Sequence, residues 1–438
     1  MAEPPEPRRE PRTAEGRAIV DAIAEATALL LDRDGYEALT TNAIARVAGV
    51  SIGSLYQYFG DKQAVVLEVA RRLEGRALEV AMERAEGLGD TSAREATAQL
   101  VDVLLDPRLG GPASRRALLL QVPPAWLLPA SGPTDRSTER LLRAVMEALP
   151  FREGPRDVMA FVVFHAVEGV IEDALLHRPV ALFEGAFRRE LFSLAWRYLA
   201  PAGADLSPHP VRTPDAWPPP SAALSARLAD EPPAEEATPV HRVTPKSARG
   251  RASVEAILEA ALERLAEAGW EGASARSIAK RAGVSAATLY RYFPHLRAIV
   301  AELARRRETR LLELAEAALP PSDGRPLAPS LGPLVEALCA RSREDRRARR
   351  AVLAEVPQAW NRAVTDEVDA ALVMLAERHL AERPDGREGA SARVAVAALR
   401  HGLESAIVTR PELLEDPRFG EELRALLARY LLQREAWG

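Results

Sequence analysis

Two stretches of the sequence carry polar and basic residues in the same order. They are "LTTNAIARVAGVSIGSLYQYF" (39–59) and "ASARSIAKRAGVSAATLYRYF" (273–293), and they lie 234 positions apart in a chain of 438 residues. Gln57 of the first stretch and Arg291 of the second occupy matching positions. In the major groove of DNA, Gln pairs well with adenine and Arg with guanine. The chemistry that these residues suggest is therefore the reading of base edges.

An enzymatic interpretation of the first stretch is less favoured. "GVSIG" (49–53) satisfies the G-x-S-x-G motif of esterases, yet that motif needs a strand before its serine, and the pattern here predicts a helix. The second copy reads "GVSAA" and lacks the second glycine. We therefore expect no enzyme and assign no catalytic residue.

One His-x-x-Glu pair occurs in each half of the chain, His165 with Glu168 and His401 with Glu404. A spacing of three residues places both side chains on one helix face, where they can bind a ligand or a metal ion. Two good ligands per pair are few, so polar packing at a helix interface is the favoured interpretation. No metal and no other cofactor is predicted.

Two further features leave alternatives open. Trp126 and Trp360, each in a "VP-x-AW" sequence, can line an effector pocket, but core packing is slightly favoured. The run "RSREDRRARR" (341–350) resembles a nucleic-acid patch, but a solvated helix face is the favoured interpretation.

The elements around the repeated stretch are predicted to be two short helices joined by a tight turn. Thr40 and Ser51 are good N-caps for these helices. Gly49 lies at the turn, because glycine tolerates a positive φ. The same three positions in the second copy are Ser274, Ser285 and Gly283. This arrangement is a helix-turn-helix, whose second helix can enter a major groove.

Composition favours an all-α chain of at least two domains. The sequence is rich in Ala, Leu, Arg and Glu, 47% of its residues are hydrophobic, and the alternation typical of strands is missing. A single cysteine, Cys339, excludes an intrachain disulfide. No signal-peptide pattern or membrane span is found, so we expect a cytoplasmic protein. Because the net charge is −5, any DNA contact must be local.

The repeat extends over a whole unit. "RRALLLQVPPAW" (115–126) matches "RRAVLAEVPQAW" (349–360) at the same offset of 234. "FRRELFSLAWRYL" (187–199) matches "FGEELRALLARYL" (419–431) at an offset of 232. A tandem copy of about 200 residues explains this agreement, and that period is too long for a solenoid.

The predicted domain boundaries follow from the repeat and from a Pro-rich segment between its copies. They are a disordered tail (1–14), a first helix-turn-helix domain (15–60), a first helical body (61–200), a linker (201–245), a second helix-turn-helix domain (246–294) and a second helical body (295–438).

The pattern T-x-x-x-I-A-x-x-A-G-V-S-x-x-x-L-Y-x-Y-F-x-x-K is similar to the DNA-binding signature of the tetracycline-repressor (TetR) family. The first unit matches this pattern through Lys62 and the second through Phe293. The resemblance implies a three-helix DNA-binding head and a ligand-binding helical body in each unit, with the last two helices of both units paired as a four-helix bundle. One recognition helix covers few base pairs, so a dimer fused into one chain would explain the duplication.

Carried over by position, the resemblance implies DNA contacts from both recognition helices and their flanks. In the first unit these residues are Thr40, Thr41, Ser51, Ile52, Gly53, Ser54, Tyr56, Gln57, Tyr58 and Lys62. In the second unit they are Ser274, Ala275, Ser285, Ala286, Ala287, Thr288, Tyr290, Arg291, Tyr292 and Arg297. Arg297 is included because Leu296 stands where the first unit has its lysine.

The two DNA-binding regions differ in charge. Residues 12–76 hold eight Lys and Arg against nine Asp and Glu, net −1, whereas residues 246–310 hold thirteen against seven, net +6. Phosphate neutralisation supplies much of the affinity for DNA, so we expect the second unit to bind the backbone more strongly.

The resemblance therefore implies a bacterial transcriptional regulator, most simply a repressor, that binds two-half-site operator DNA as an intramolecular pseudodimer. Residues 155–200 and 390–433 are expected to join the units, which leaves the chain monomeric and its operator asymmetric. A small apolar effector is expected to release the DNA, with Trp126, His165, Trp360 and His401 as candidate contacts. The alternative is a helical small-molecule-binding protein whose heads have lost their DNA specificity.

Overall fold

The described part of the chain is built from helices. The computed structural model describes residues 9, 11–87, 91–106, 109, 112–210, 247–319, 325–344, 346–382, 386–387 and 390–433. Most of the predicted linker, and residues 1–8 and 10 of the predicted tail, lie outside these ranges. Within them no strand occurs apart from one isolated bridge between Gly386 and Leu432, so the all-α prediction is confirmed. None of the described helices is long and apolar enough to cross a membrane.

Each unit contributes nine α-helices to the described residues. In the first unit they are α1 (Ala14–Ala38), α2 (Thr41–Ala48), α3 (Ile52–Tyr58), α4 (Lys62–Glu86), α5 (Ala93–Leu104), α6 (Pro112–Gln121), α7 (Pro124–Ala148), α8 (Arg156–His177) and α9 (Gly185–Leu199). In the second unit they are α10 (Ala248–Gly272), α11 (Ala275–Arg281), α12 (Ala286–Tyr292), α13 (Leu296–Ala318), α14 (Ala328–Arg343), α15 (Arg346–Ala354), α16 (Arg362–Glu382), α17 (Ala392–Thr409) and α18 (Pro417–Leu431). We refer to α1–α3 as head 1, α4–α9 as body 1, α10–α12 as head 2 and α13–α18 as body 2.

Helix α7 is longer than the sequence pattern predicts. The pattern favours a helix over 134–149, but α7 begins at Pro124. Proline is well tolerated in the first turn, where its missing N–H would have no helical partner. Further Pro and Gly residues at 129–133 weaken the helical pattern, and packing along α4 outweighs that weakness.

Each head shares its core with its own body. In head 1 the fully buried Leu55 belongs to a cluster that includes Val122, which follows α6. In head 2 the fully buried Leu289 belongs to a cluster that includes Val352 of α15. A head and its body are therefore mechanically joined, because a packed core transmits displacements.

The two bodies pack on each other through α8 and α9 of the first unit and α17 and α18 of the second. The Tyr198 hydroxyl donates a hydrogen bond to Glu422 at 2.6 Å, and the Tyr430 hydroxyl donates one to Glu190. Exchange of equivalent contacts between two partners is typical of an isologous interface. These helices lie within the two segments where the sequence predicts that the units meet.

The beginning of the predicted linker is bound to body 1. Arg94 forms an ion pair with Asp205 at 2.7 Å, and the Trp196 indole donates to the Asp205 carbonyl at 2.8 Å. His209 lies 2.9 Å from Glu95. Residues 201–210, at the start of the predicted linker, therefore include contacts with body 1.

Candidate DNA-binding surfaces and the cavity between the units

The caps and the tight turn form in both heads as predicted. In head 1, Thr40 Oγ1 accepts from the Ala43 N–H at 3.1 Å, and Ser51 Oγ accepts from the Ser54 N–H at 2.9 Å. Gly49 has a φ of 72° between the two helices. The corresponding positions of head 2 are Ser274, Ser285 and Gly283, whose φ is 66°. Both heads thus hold a complete helix-turn-helix.

Helix α3 turns one face to solvent. Leu55 anchors the opposite face in the core of head 1. The solvent face carries the exposed Ile52, Gly53, Tyr56 and Gln57, with Ser54 half-buried. Thr41 Oγ1 lies 3.0 Å from the Tyr56 hydroxyl, so the start of α2 adjoins this face. The structure therefore brings the predicted reading residues of head 1 onto one surface.

Helix α12 presents the corresponding surface of head 2. Its exposed residues are Ala286, Ala287, Tyr290 and Arg291, with Thr288 half-buried. The Arg291 guanidinium lies 4.7 Å from the centre of the Tyr292 ring and donates to the Tyr292 hydroxyl at 2.9 Å. Arg291 must leave this ring before it can reach a base.

The predicted DNA contacts that flank the recognition helices have partners within the protein. The Lys62 ammonium donates to the Tyr36 carbonyl at 3.0 Å and lies 4.4 Å from the centre of the Tyr36 ring. Tyr58 and Tyr292 are buried in the cores of their heads. Arg297 is exposed and donates to the Ala359 carbonyl at 3.4 Å. A phosphate would have to compete with these internal contacts.

Head 2 also carries basic residues outside the predicted set of DNA contacts. Arg276 and Lys280 on α11 are exposed and form no ion pair with another described residue. Arg281, by contrast, lies 2.8 Å from both Glu263 and Glu267. The net charge of this region was the available sequence signal, but only the structure separates paired from unpaired cations.

A cavity of about 290 Å³ lies between the two units. Charged side chains of both interface helices line it, namely Glu168, Glu172 and Asp173 from α8 and Arg393, Arg400 and His401 from α17. Apolar side chains such as Val352, Val373 and Val408 line the cavity beside the charged ones, so the small apolar effector stays a prediction.

The cavity also reaches the heads. Val122 lines it and belongs to the core shared with head 1, while Val352 and Val356 line it and belong to the core shared with head 2. A molecule bound in the cavity would therefore contact residues that support both recognition helices.

Comparison with known families identifies the units. Residues 23–69 and 257–303 match the family described as bacterial regulatory proteins, tetR family. Residues 92–199 match the family described as tetracyclin repressor-like, C-terminal domain. The chain belongs to the TetR family. Its two head matches make it a tandem TetR protein and a DNA-binding transcriptional regulator.

Solved structures similar to the tandem TetR chain include three bacterial proteins. FadR from Bacillus subtilis in complex with stearoyl-CoA is 19% identical over 40% of this chain and 97% of that chain, with a TM-score of 0.34. GusR from Salmonella enterica is 24% identical over 41% and 95% of the two chains, with a TM-score of 0.35. NalD, the secondary repressor of the MexAB-OprM multidrug efflux pump in Pseudomonas aeruginosa, is 22% identical over 43% and 100%, with a TM-score of 0.33. No curated protein matches the chain significantly.

The G-x-S-x-G stretch of the first TetR unit does not have the geometry of a nucleophile elbow. Residues 41–48 before Ser51 form a helix where that motif needs a strand. The Ser51 hydroxyl caps α3 and lies 2.8 Å from the Ser54 hydroxyl. This serine has a structural function in the turn of the TetR head.

The two predicted histidines meet at the interface of the TetR units. His165 Nδ1 lies 3.0 Å from Glu168, as the spacing predicts. His401 does not pair with Glu404, which lies 3.3 Å from Arg400 instead. The reason is the close approach of α8, which places His401 Nε2 3.3 Å from Glu168 across the interface.

Burial and neighbouring charges oppose each other at these histidines. Burial disfavours the imidazolium of His401, but Glu172 and Glu168 outweigh it and raise the pKa of His401 well above its usual value. Burial also acts against His165, yet Glu139 and Glu168 raise its pKa. Burial likewise disfavours the Glu168 carboxylate, but the two histidines hold its pKa below the usual range. Protons therefore bind these imidazoles readily when no other cation is present.

The two tryptophans named as candidate effector contacts lie where heads and bodies join, and neither lines the cavity. Trp126 is buried and packs edge-on against Tyr36, with ring centroids 6.3 Å apart. Trp360 is half-buried against the core of head 2. Both positions agree with the core-packing alternative rather than with an effector wall.

The basic run at 341–350 is only partly a solvated face. Arg349 donates to the Arg341 carbonyl at 2.9 Å, and burial lowers the pKa of Arg349 to about 10. Arg343 and Arg346 are exposed. The described residues of this run lie in body 2, where α15 packs against α10 of head 2.

Proposed function

We propose that the tandem TetR chain acts as a single-chain pseudodimer that binds an asymmetric operator through α3 and α12. The observation that supports this most strongly is that two complete helix-turn-helix heads are carried by bodies with reciprocal contacts. The ion pair between Arg152 and Glu422 adds a charged contact across the same interface. In a homodimer this interface would join two chains, but here both partners belong to one chain.

The proposed asymmetry of the operator follows from the solvent-exposed faces of α3 and α12. Gln57 is exposed on α3, and Arg291 is exposed at the matching position of α12. A bidentate Gln prefers adenine and a bidentate Arg prefers guanine, each by about 1–3 kcal/mol. The two half-sites should therefore differ where these side chains reach base edges.

Release of the operator is proposed to begin in the cavity between the units. An effector bound there contacts α8 and α17, whose packing sets the arrangement of the bodies. It also contacts Val122 and Val352, which support heads 1 and 2. Effector binding would favour one arrangement of the heads over another, and a ligand shifts such an equilibrium only by its difference in affinity for the two states.

We also propose the domain boundaries that the sequence predicts, at residues 15, 60, 200, 246 and 294, with one change. The end of body 1 moves from residue 200 to residue 210, because Asp205 and His209 contact body 1. The segment between body 1 and head 2 then joins the two units covalently. A covalent connection makes pairing of the units intramolecular, which favours pairing within one chain.

Binding-site selection from random duplex DNA, combined with sedimentation of the chain and its complex, tests this proposal. We expect one chain per duplex and two unequal half-sites one helical turn or more apart. A perfect palindrome would contradict the asymmetric operator. An obligate dimer of chains that uses only head 1 of each would contradict the pseudodimer, and uniform affinity for all sequences would favour a protein with degenerate heads.

A further inference from the structure

Three ligand atoms converge where α8 crosses α17. His165 Nδ1 lies 3.0 Å from Glu168 Oε2, and His401 Nε2 lies 3.3 Å from the same oxygen. Each of His165, Glu168 and His401 offers one ligand atom, and these atoms lie within 4.8 Å of one another. The first two belong to one unit and the third to the other, so neither unit holds the cluster alone.

We propose that His165, Glu168 and His401 bind one divalent transition metal ion, such as Zn²⁺ or Co²⁺, that joins the two units. Zn²⁺ prefers His and carboxylate ligands at roughly 2.0–2.2 Å, which in a tetrahedron separates ligand atoms by about 3.4 Å. Two of the observed separations are already close to that value. The fourth position would face the cavity, which both histidines and Glu168 line.

The carboxylates near the outer imidazole nitrogens support a metal site. His401 Nδ1 lies 3.1 Å from Glu172 Oε2, and His165 Nε2 lies 3.4 Å from Glu139 Oε1 without a hydrogen bond between them. Histidines that bind metals usually donate their other N–H to a carboxylate, which selects the tautomer and orients the ring. Here the tautomer that places N–H towards the carboxylate leaves the inner nitrogen of each ring to face the proposed ion.

Simple ion pairing across the interface explains less of this arrangement. An ion pair needs one carboxylate for each imidazolium, whereas two rings here converge on one Glu168 oxygen while each also has an outer carboxylate. Arg410, 3.2 Å from Glu139, holds one of those outer carboxylates in place. Both imidazolium rings would repel each other with centroids 5.8 Å apart, and an ion between them would remove that repulsion by replacing their protons.

The duplication would allow two such sites, but the residues that the structure describes provide one. Glu404, the counterpart of Glu168 on α17, lies 3.3 Å from Arg400, where unit one has Phe164. Only the α8 carboxylate therefore serves both histidines. This predicts one ion per chain.

The role of the ion in regulation rests on the proposed function, whereas its binding does not. An ion that links α8 to α17 would stabilise one packing of the interface, and the heads are joined to the bodies on both sides of it. Operator affinity should therefore differ between the metal-free and the metal-bound chain.

Titration of the metal-free full chain with Co²⁺ and Zn²⁺ tests the site. We expect one ion per chain by calorimetry, d–d absorption bands typical of low coordination for Co²⁺, and a higher Tm with either ion. Glu168→Gln and His401→Ala should abolish this binding, and Glu172→Gln should weaken it about 10- to 100-fold. His209→Ala is the matched control, because His209 lies outside the interface and should leave binding unchanged.

Circular dichroism of each variant separates loss of the site from loss of the fold. Glu168→Gln changes one atom, so a folded Glu168→Gln chain without metal binding supports the proposal. Absence of stoichiometric binding to the parent chain, or undiminished binding by Glu168→Gln and His401→Ala, would overturn it. Operator binding measured with and without the ion is a separate experiment, and a chain that binds the ion but no DNA would contradict the proposed function only.

Discussion

The two units of the chain share the frame of their heads but not the residues on their outer faces. Ser51 and Ser285 cap the recognition helices at 2.9 and 3.1 Å, and Leu55 and Leu289 are equally buried. The exposed residues between them differ at nearly every position. Positions that hold a helix in place thus tolerate little change, whereas positions that face solvent are free to acquire a second DNA preference.

The bodies, in contrast to the heads, differ in residues of their interiors. Where α8 of the first unit has the buried Phe164, α17 of the second has Arg400. Arg400 lies 2.6 Å from the fully buried Glu308 and 2.7 Å from Asp369. An apolar contact in one unit has become a buried ionic network in the other, so each body has its own stability and its own response to pH.

The largest expected effect comes from breaking that network. Glu308→Gln should lower the free energy of unfolding of body 2 by about 3–5 kcal/mol at pH 7, because Arg307 and Arg400 would lose a buried partner. Chemical denaturation measures this loss. The double variant Glu308→Gln with Arg400→Phe, which restores the residue of the first unit, should lose less than the sum of the single changes.

The Glu308 carboxylate also makes the stability of the folded chain depend on pH in the acid range. Burial disfavours its charged form, but Arg400 and Arg307 outweigh burial and lower the pKa of Glu308 to about 2. A depressed pKa stabilises the folded state above the unfolded value of about 4.3 and loses that contribution as the pH falls towards 2. The parent chain should lose more stability than Glu308→Gln over this interval, and equal losses would contradict the assignment. Asp369 and Glu404 face the same cluster, and burial raises the pKa of Asp369.

A smaller effect is expected where the two bodies come closest. A Cβ added at Gly169 of α8 would lie 2.2 Å from His401 Cβ, whereas one at Gly402 of α17 would lie 3.5 Å from its nearest neighbour, Leu423. Gly169→Ala should therefore destabilise the interface by about 1–3 kcal/mol.

Gly402→Ala is the control for this change, because alanine favours a helix more than glycine does by about 1 kcal/mol. Thermal unfolding of both variants in metal-free buffer distinguishes a steric effect from a general effect of helix propensity. Equal Tm values for the two variants would show that the close approach of α8 and α17 is not required.

The Arg291→Gln variant tests whether the exposed faces of α3 and α12 prefer different bases. The variant should move the preference of the second half-site from guanine towards adenine by about 1–3 kcal/mol and leave the first half-site unchanged. Binding-site selection on both proteins measures this shift. A uniform loss of affinity across all sequences would instead place Arg291 on the phosphate backbone.

The smallest effects should come from the positions that the units share. Ser51→Ala and Ser285→Ala each remove one N-cap bond, so each should cost about 1 kcal/mol of local helix stability. Hydrogen exchange of the amides of α3 and α12 in the absence of DNA measures both costs. A clear inequality between them would show that the frames of the two heads are less alike than their geometry suggests.

Local chemistry explains which parts of the heads could be predicted. A cap such as Thr40 and a turn such as Gly49 depend on neighbours within a few residues, so the sequence contains their whole cause. The start of α7 at Pro124 was missed because Pro and Gly at 129–133 argue locally against a helix. The start of α7 at Pro124 depends on its packing along α4, which is a tertiary contact.

The sequence by itself determined the duplication, the all-α class, the two helix-turn-helix frames and the residues on their outer faces, since these depend on composition, period and short-range contacts. Only the tertiary structure decided that His401 faces Glu168 rather than Glu404, that Trp126 packs against a head, and that charged residues of both units line a cavity between them. These contacts join residues far apart in the chain. Their partners depend on how α8 and α17 cross, which no local pattern encodes.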